Sequence, residues 1–194
     1  MIIDSTYFIR EITIPNLDKA GNSSTLDTDI VFYEKEILMD ALGYQLYSEF
    51  ITAIEGTPAQ KWIDLRDGAE FSFEYSGVTI TRKWAGLKNS DKISLLAYYT
   101  YAMYLRKMHQ QLTSIGTVVS QSENSMVVNG SDKFINAWNR FIEQYGEVPD
   151  GFDPYNESHY IHFDDKPTLY NFLLAGDYDN WIYTRREGLN AFGF

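Results

Sequence analysis

Apolar residues recur at helical spacing in three long stretches of the chain. These stretches predict three main helices, over about 29–55, 91–112 and 132–145. In the second stretch, polar side chains almost vanish between Leu95 and Leu105. A helix that is apolar on every side is expected to be buried on every side. The pattern therefore predicts a mainly α-helical fold built on a bundle of three main helices.

The first predicted helix has a glycine near its centre. Its apolar stripe repeats every four residues and consists of Leu38, Leu42, Leu46, Phe50 and Ile54. Asp29 is a suitable N-cap, whereas Gly43 costs about 1 kcal/mol relative to alanine inside a helix. We therefore expect that the helix breaks at Gly43 or that another segment packs closely against it.

Two short helices are predicted outside the main three. One runs from Pro58 to about Leu65, with proline in its first turn and Trp62 as its anchor. The other runs from Pro167 to Ala175, within a tail that is otherwise irregular. The third main helix carries a stripe, expected to lie in the core, of Phe134, Trp138, Phe141 and Tyr145.

Residues 70–83 carry the alternation of a β-hairpin. Apolar and polar residues alternate on both sides of Ser76-Gly77, which suits a two-residue turn. Folding at this turn pairs Phe73 with Ile80, Tyr75 with Val78, and Glu70 with Lys83. A lone two-stranded hairpin is only marginally stable. Its aromatic face is therefore expected to lie on helices or on another subunit.

The rest of the chain lacks a regular pattern. We predict a single domain over 1–194, divided into an N-terminal arm (1–28), a helical core (29–146, with the hairpin at 70–83) and an irregular C-terminal tail (147–194). The stretch YFIREITIP within the arm alternates enough to predict a strand, which must dock on another element or fray.

The connection from Leu112 to Lys133 is far longer than a turn between two helices requires. It contains isolated apolar residues in an otherwise polar stretch, namely Val118, Val119, Met126, Val127 and Val128. Because such residues promote association when left in water, we expect residues 116–130 to become ordered against an adjacent subunit or another partner. The alternative is that they fold back on the chain's own core as a satellite cluster.

Composition narrows the class of protein. With 44% hydrophobic and 16% aromatic residues, the chain can bury a core. The formal net charge of −11 disfavours a DNA-binding module, whose affinity comes mainly from Lys and Arg on phosphates. The absence of cysteine excludes disulfides, thiolate zinc sites and cysteine nucleophiles. No signal peptide is evident, nor an apolar run near the roughly 18 residues of a membrane span, so we expect a soluble protein with no membrane partner.

Few residues in the sequence indicate a catalytic or metal-binding site. His159, His162, Asp164 and Asp165 are metal-ligand types in one loop, but their spacing suits no closed ligand set. Residues 150–157 could offer oxygen ligands to calcium, yet they lack EF-hand spacing and are better explained as a solvated turn. Serine nucleophile motifs, a phosphate-binding glycine loop and a dinucleotide fingerprint are absent from the sequence. We therefore expect no enzyme, no cofactor and no metal site.

Four stretches occur in a recognisable order: EKEILMDALGYQLYSEF, KWIDLRDGAEF, LLAYYTYAMYLRKMHQQLTSIGTVVSQSENS and KFINAWNRFIEQY. They resemble the head–tail connector (neck adaptor) proteins of tailed phages and prophages from Bacteroidetes hosts. The most specific pieces are LGYQLY and TSIGTVVSQSENS, and PTLYNFLLAGDYDNW with the terminal FGF is also similar. The resemblance covers residues 1–194 and is strongest from Glu34 to Tyr145.

The resemblance implies a structural virion protein without catalytic residues. It implies a mainly α-helical adaptor that forms a homo-oligomeric ring below the portal, a dodecamer in the virion. The implied partners are other copies of the chain, the portal protein and a tail-side neck or tail protein, with double-stranded DNA only as passing cargo. The implied location is the virion neck, and the host bacterial cytoplasm during assembly. Acidity suits a DNA conduit, because a lumen that attracted phosphate would impede sliding.

For such a ring, the expected interface residues come from the connection and the hairpin: Val118, Val119, Met126, Val127, Val128, Phe71, Phe73, Tyr75 and Ile80. Two other functions stay open. A monomeric or dimeric binding module, for carbohydrate, would use exposed Tyr and Trp residues, and an enzyme would use the loop from His159 to Asp165. Rings or concentration-dependent oligomers favour the adaptor, whereas a strict monomer with a deep aromatic cleft favours the binding module.

Overall fold

Most of the described chain is helical. The computed structural model describes residues 1–17, 22–75, 77–109, 111–113, 116–118, 130–146, 167–176 and 178–189. Its helices are α1 (Asn22–Glu55), α2 (Gln60–Asp67), α3 (Leu95–His109), α4 (Gly130–Tyr145) and α5 (Leu169–Ala175). The strands in these residues form two antiparallel hairpins, β1 (Ala69–Tyr75) with β2 (Val78–Trp84) and β3 (Gln111–Thr113) with β4 (Gly116–Val118). The prediction of a mainly α-helical fold with a β-hairpin is confirmed at this level.

Helix α3 packs against both α1 and α4. Its ring of Tyr99 contacts Tyr33 of α1 and Phe141 of α4, with centroids 6.2 and 5.0 Å apart. Residues 94–102 are all buried, whereas residues 106–108 are exposed. The prediction of a helix buried on every side is therefore correct for its first half.

The predicted strand in the N-terminal arm is wrong. Two 3-10 turns, Ser5–Tyr7 and Arg10–Ile12, occupy that stretch instead. The buried carboxylate of Glu34 accepts hydrogen bonds from the backbone N–H groups of Ile2 and Ile3, at 3.0 and 2.8 Å. A strand needs a neighbouring edge to pair with, and no other described strand lies beside the arm. Local turns and this carboxylate satisfy the backbone instead.

Helix α1 begins earlier than predicted, at Asn22, so Asp29 is not its N-cap. Leu26 and Ile30 are 2% and 0% exposed and continue the apolar stripe towards the N-terminus. Their burial outweighs the weak helix propensity of the Ser- and Thr-containing start. Asp29 instead forms an ion pair with Lys107 of α3, at 2.8 Å.

Helix α1 is broken at Gly43, which has φ 74° and ψ 163°. Residues 178–189 contain a turn at 179–180 followed by an irregular segment that packs against the break, and we call this range the C-terminal strap. The N–H groups of Ile182 and Thr184 donate to the carbonyls of Leu42 and Asp40, at 3.2 and 2.7 Å. Both expectations for Gly43 are thus confirmed, because the helix breaks there and another segment packs against it.

The C-terminal strap also binds α4 through its backbone. Trp138 Nε1 donates to the carbonyl of Glu187 at 2.7 Å. The side-chain amide of Asn139 donates to the carbonyl of Leu189 and accepts from its N–H, at 2.8 and 2.7 Å. The hydroxyl of Tyr145 donates to the carbonyl of Thr184 at 2.8 Å. The strap therefore ties α4 to the part of α1 that precedes Gly43.

The remaining helices start within a few residues of the predictions, and side-chain caps fix the starts of α3 and α5. The Ser94 hydroxyl accepts from the N–H of Leu96, so α3 starts at Leu95 rather than 91. Helix α2 lies two residues later than predicted, with Trp62 5% exposed as its anchor. The Thr168 hydroxyl caps α5 by accepting from the N–H of Asn171.

The register predicted for the first hairpin is confirmed, because Phe73 faces Ile80, Tyr75 faces Val78 and Glu70 faces Lys83. The second hairpin was not predicted. Helix α3 ends at His109, and the next residues pair as Gln111 with Val118 and Thr113 with Gly116. The start of the long connection is therefore a short β-hairpin rather than an unpaired segment.

Candidate assembly surface

The base of the β1–β2 hairpin is fixed to α2 by close backbone contacts. Gly68 and Gly86, on the two sides of the hairpin, have φ of 91° and 88°. A Cβ atom on Gly68 would lie 2.5 Å from the Trp84 carbonyl oxygen, and one on Gly86 would lie 2.5 Å from the Asp67 carbonyl carbon. Only glycine permits this crossing of two backbones, so the base of the hairpin is held rigidly.

Aromatic side chains hold the lower half of the hairpin on α5. Trp84 is 2% exposed, and its Nε1 donates to the carbonyl of Leu65 at 3.0 Å. Its ring stacks on Phe172 with centroids 5.9 Å apart. Phe71, one of the predicted interface residues, meets Phe172 edge-on at 5.6 Å. Phe71 is therefore part of the chain's own packing.

The distal half of the hairpin presents apolar side chains to solvent. Val78 is 63% exposed, whereas the next cross-strand pair towards the base, Phe73 with Ile80, is half-buried. The ring of Phe73 stacks on Phe71 at 6.4 Å, so it continues the aromatic row outwards from the base. Tyr75 faces Val78 in the backbone register, and its side chain lies outside the described part. The structure thus brings Phe71, Phe73 and Ile80 onto one face.

The opposite face of the hairpin is polar. The hydroxyls of Ser72 and Thr81 lie 2.9 Å apart. Glu70 and Lys83 face each other in the register, and both are exposed. The hairpin therefore has one face that packs on the helical body at its base and one that is fully hydrated.

The other predicted interface residues lie in the long connection. Val118 is the last residue of β4, and its side chain is outside the described part. Val119, Met126, Val127 and Val128 fall outside the described residues altogether. Their role in an interface stays a prediction.

Known proteins give no further guide to this surface. No family model, curated protein or solved structure matches the chain. Among the helices of the described ranges, none is both long enough and apolar enough to cross a membrane. Function must therefore be inferred from the chain's own residues and contacts.

A cleft of about 800 Å³ lies between the N-terminal arm, α3 and α4. Tyr98 and Tyr101 line it but are only 7% and 4% exposed. The Tyr98 hydroxyl donates to the carboxylate of Glu11, and burial together with this bond raises the pKa of Tyr98 to about 12. Because a sugar ring needs an accessible aromatic face to stack on, this cleft suits carbohydrate poorly.

Exposed aromatic side chains occur on α1 without forming a common surface. Phe32 is 63% exposed and Tyr44 is 75% exposed, and they lie on opposite sides of the break at Gly43. Each lies beside another exposed apolar residue: Val31, next to Phe32, is 52% exposed, and Ile182, which packs on Gly43 next to Tyr44, is 70% exposed. The two groups are separated along α1, so they do not make one continuous aromatic surface.

A partly buried polar network lies where α1, α3 and the C-terminal strap meet. The Tyr99 hydroxyl donates to the carboxylate of Glu36, and Arg186 of the strap forms an ion pair with Asp40. Burial, followed by the bond to Glu36, raises the pKa of Tyr99 well above its usual range. These contacts join α1 to α3 and to the C-terminal strap.

The predicted metal-ligand candidates cannot be placed. His159, His162, Asp164, Asp165 and residues 150–157 lie outside the described residues. Within the described ranges, no group of three or more His, Cys, Asp or Glu side chains could hold a metal ion. The hairpin is therefore the candidate surface with the best-defined geometry.

Proposed function

We propose that this protein is a head–tail connector adaptor, which assembles as a ring below the portal of a tailed phage. The observation that carries the proposal is the hairpin, because its base is rigidly fixed while Val78 is 63% exposed at its distal end. An apolar surface at the end of a rigid projection is better suited to contact another subunit than to stabilise its own domain.

In this proposal α1, α3 and α4 form a three-helix bundle that serves as the body of the adaptor. Helix α3 packs against both other helices, and the C-terminal strap joins α1 to α4. The body would present the hairpin to a second copy of the chain. The arm, the connection and the tail would add contacts to neighbouring subunits and to the portal.

Two further features support the proposal. The order of the four stretches resembles connector proteins, and three of these stretches contribute to α1, α3 and α4. The formal net charge of −11 suits a conduit that does not retain DNA. The proposed partners are other copies of the chain, the portal protein and a tail-side neck or tail protein. The proposed location is the virion neck, reached from the host cytoplasm during assembly.

The proposal is tested by a substitution at the hairpin tip. Val78→Asp places a charge on the exposed apolar surface and should leave the fold intact, because the side chain already faces solvent. We expect the variant to lose ring assembly, as measured by light scattering after size-exclusion chromatography. The matched control is Tyr44→Asp, a similar change at a 75% exposed residue of α1.

The control should assemble like the unmodified protein. If Val78→Asp and Tyr44→Asp assemble equally well, the hairpin is not a subunit interface. If the unmodified protein stays monomeric at every concentration and with its portal, the adaptor function itself is contradicted and the binding module gains support.

A further inference from the structure

We infer that hairpins of neighbouring subunits pair edge to edge, with β2 of one subunit against β1 of the next, to close a continuous antiparallel sheet around the ring axis. This inference rests on the proposed function, because it requires a ring of identical subunits.

The first ground is the state of the two strand edges. Among the described residues, β1 and β2 pair only with each other, so neither has a second strand at its outer edge. Such edges are ready templates for another strand. A two-stranded hairpin is also only marginally stable by itself, and an added strand on each side would stabilise it.

The second ground is the charge on each strand. The sequence of β1, AEFSFEY, contains two glutamates and no basic residue. The sequence of β2, VTITRKW, contains Arg82 and Lys83 and no acidic residue. Glu70 and Lys83 are both exposed, and no ion pair joins them within the hairpin.

Two strand edges can pair between subunits in three ways, β1 with β1, β2 with β2 or β2 with β1, and these charges favour the last. Pairing β1 with β1, or β2 with β2, across a two-fold axis would place like charges on adjacent strands, which is destabilising. Pairing β2 of one copy with β1 of the next places Lys83 near Glu70 of its neighbour. A contact between two different surfaces repeats head to tail, and it closes into a ring when its rotation allows.

Rotation about the ring axis preserves strand direction, so β2 would run antiparallel to the neighbouring β1, as it does to its own β1. Side chains on the polar face of one hairpin would also lie on the same side of the sheet as the polar face of the next hairpin. Because α5 packs on the aromatic face at the base of each hairpin, the opposite face would be directed away from the helical bodies. The hydroxyls of Ser72 and Thr81 would then line the channel.

Cysteine cross-linking tests this arrangement, since the chain contains no native cysteine. Ser72 faces Thr81 within the hairpin, so the same register between subunits would bring these two positions together. A Ser72→Cys chain is mixed with a tagged Thr81→Cys chain at concentrations where rings form, and the mixture is oxidised. The pairs Glu70→Cys with Thr81→Cys and Ser72→Cys with Lys83→Cys cover registers shifted by two residues.

We expect one of these mixtures to give a mixed disulfide, with little dimer from either chain alone. A Ser48→Cys chain, altered at an exposed position on α1, should give none with either partner. Rings without a mixed disulfide in any pair would overturn the inference while leaving the adaptor function intact. Disulfides between identical variants would indicate two-fold pairing and also overturn it. Absence of rings would contradict the adaptor function and the inference together.

Discussion

Replacing Gly43 by alanine should release the C-terminal strap from the break in α1. Gly43 has φ 74° and ψ 163°, a conformation that is essentially restricted to glycine. A Cβ atom there would lie 3.0 Å from Cβ of Ile182 and 3.3 Å from its backbone nitrogen. Carbon atoms are normally about 3.5–4.0 Å apart, so Ile182 must move.

The magnitude follows from two effects. Holding alanine in this backbone conformation costs on the order of 1–3 kcal/mol. Moving the strap weakens the hydrogen bonds from Ile182 to Leu42 and from Thr184 to Asp40, each worth about 0.5–1.5 kcal/mol. We therefore expect Gly43→Ala to lower the free energy of unfolding by about 2–6 kcal/mol.

The assay is urea unfolding followed by tryptophan fluorescence, together with limited trypsin digestion. Trypsin cleavage after Arg185 and Arg186 should become faster in Gly43→Ala, because both arginines lie in the strap. The matched control is Gly77→Ala, since Gly77 also has φ 74° but no atom lies within 4 Å of the added Cβ. It should show backbone strain of about 1–2 kcal/mol and no faster cleavage of the strap.

Equal losses of unfolding free energy in the two variants, with unchanged cleavage after Arg185 and Arg186, would refute the reasoning. The strap would then not depend on the broken conformation of α1. Faster cleavage in both variants would instead indicate general loosening of the fold.

Three further perturbations have defined outcomes. Trp138→Ala should lower the free energy of unfolding by about 3 kcal/mol, because Trp138 is half-buried against Phe141 and hydrogen-bonded to the strap. Trp138→Phe keeps the ring packing but loses this hydrogen bond, so it should lower the free energy by only about 1 kcal/mol. Equal melting temperatures for the two variants would argue against this packing. Glu34→Ala should cost about 2 kcal/mol or more in urea unfolding by leaving two buried N–H groups without an acceptor, whereas Glu34→Gln should cost less. Burial raises the pKa values of Tyr98 and Tyr145, so the folded state holds their phenolic protons more tightly than the unfolded state. The free energy of unfolding should therefore not depend on these two groups below about pH 10 and should fall as the pH rises above it. A free energy of unfolding that does not fall above about pH 10 would contradict the burial of these hydroxyls.

Elements that depend on a short stretch of sequence were predicted correctly from that stretch alone. The hairpin register follows from strict alternation around Ser76-Gly77, and the structure has the predicted pairs. The periodicity of α3 and α4 likewise predicted their positions within a few residues. At Gly43, one glycine in an apolar stripe was enough to predict a break or a close contact.

Other structural features depend on contacts between residues far apart in the sequence, which no single stretch of sequence indicates. The N-terminal arm alternates like a strand, but Glu34, more than thirty residues away, binds its backbone and no described strand pairs with it. The C-terminal strap has no regular periodicity, because its contacts are irregularly spaced and involve both backbone and side chains: Asn139 binds the backbone of Leu189, whereas the ring of Tyr183 stacks on Tyr145. For the candidate surface, alternation found the row of Phe71, Phe73 and Ile80, but only the contact with α5 shows that Phe71 serves the chain's own core.

Sedimentation of the purified protein over a wide range of concentrations tests the ring most directly. Each chain has a mass of 22.4 kDa. We predict a concentration-dependent oligomer of one defined size, many times this mass, which electron microscopy shows as a ring with an axial channel. A single species of 22.4 kDa at every concentration, unchanged when the portal protein is added, would contradict the proposal that the chain is a connector adaptor.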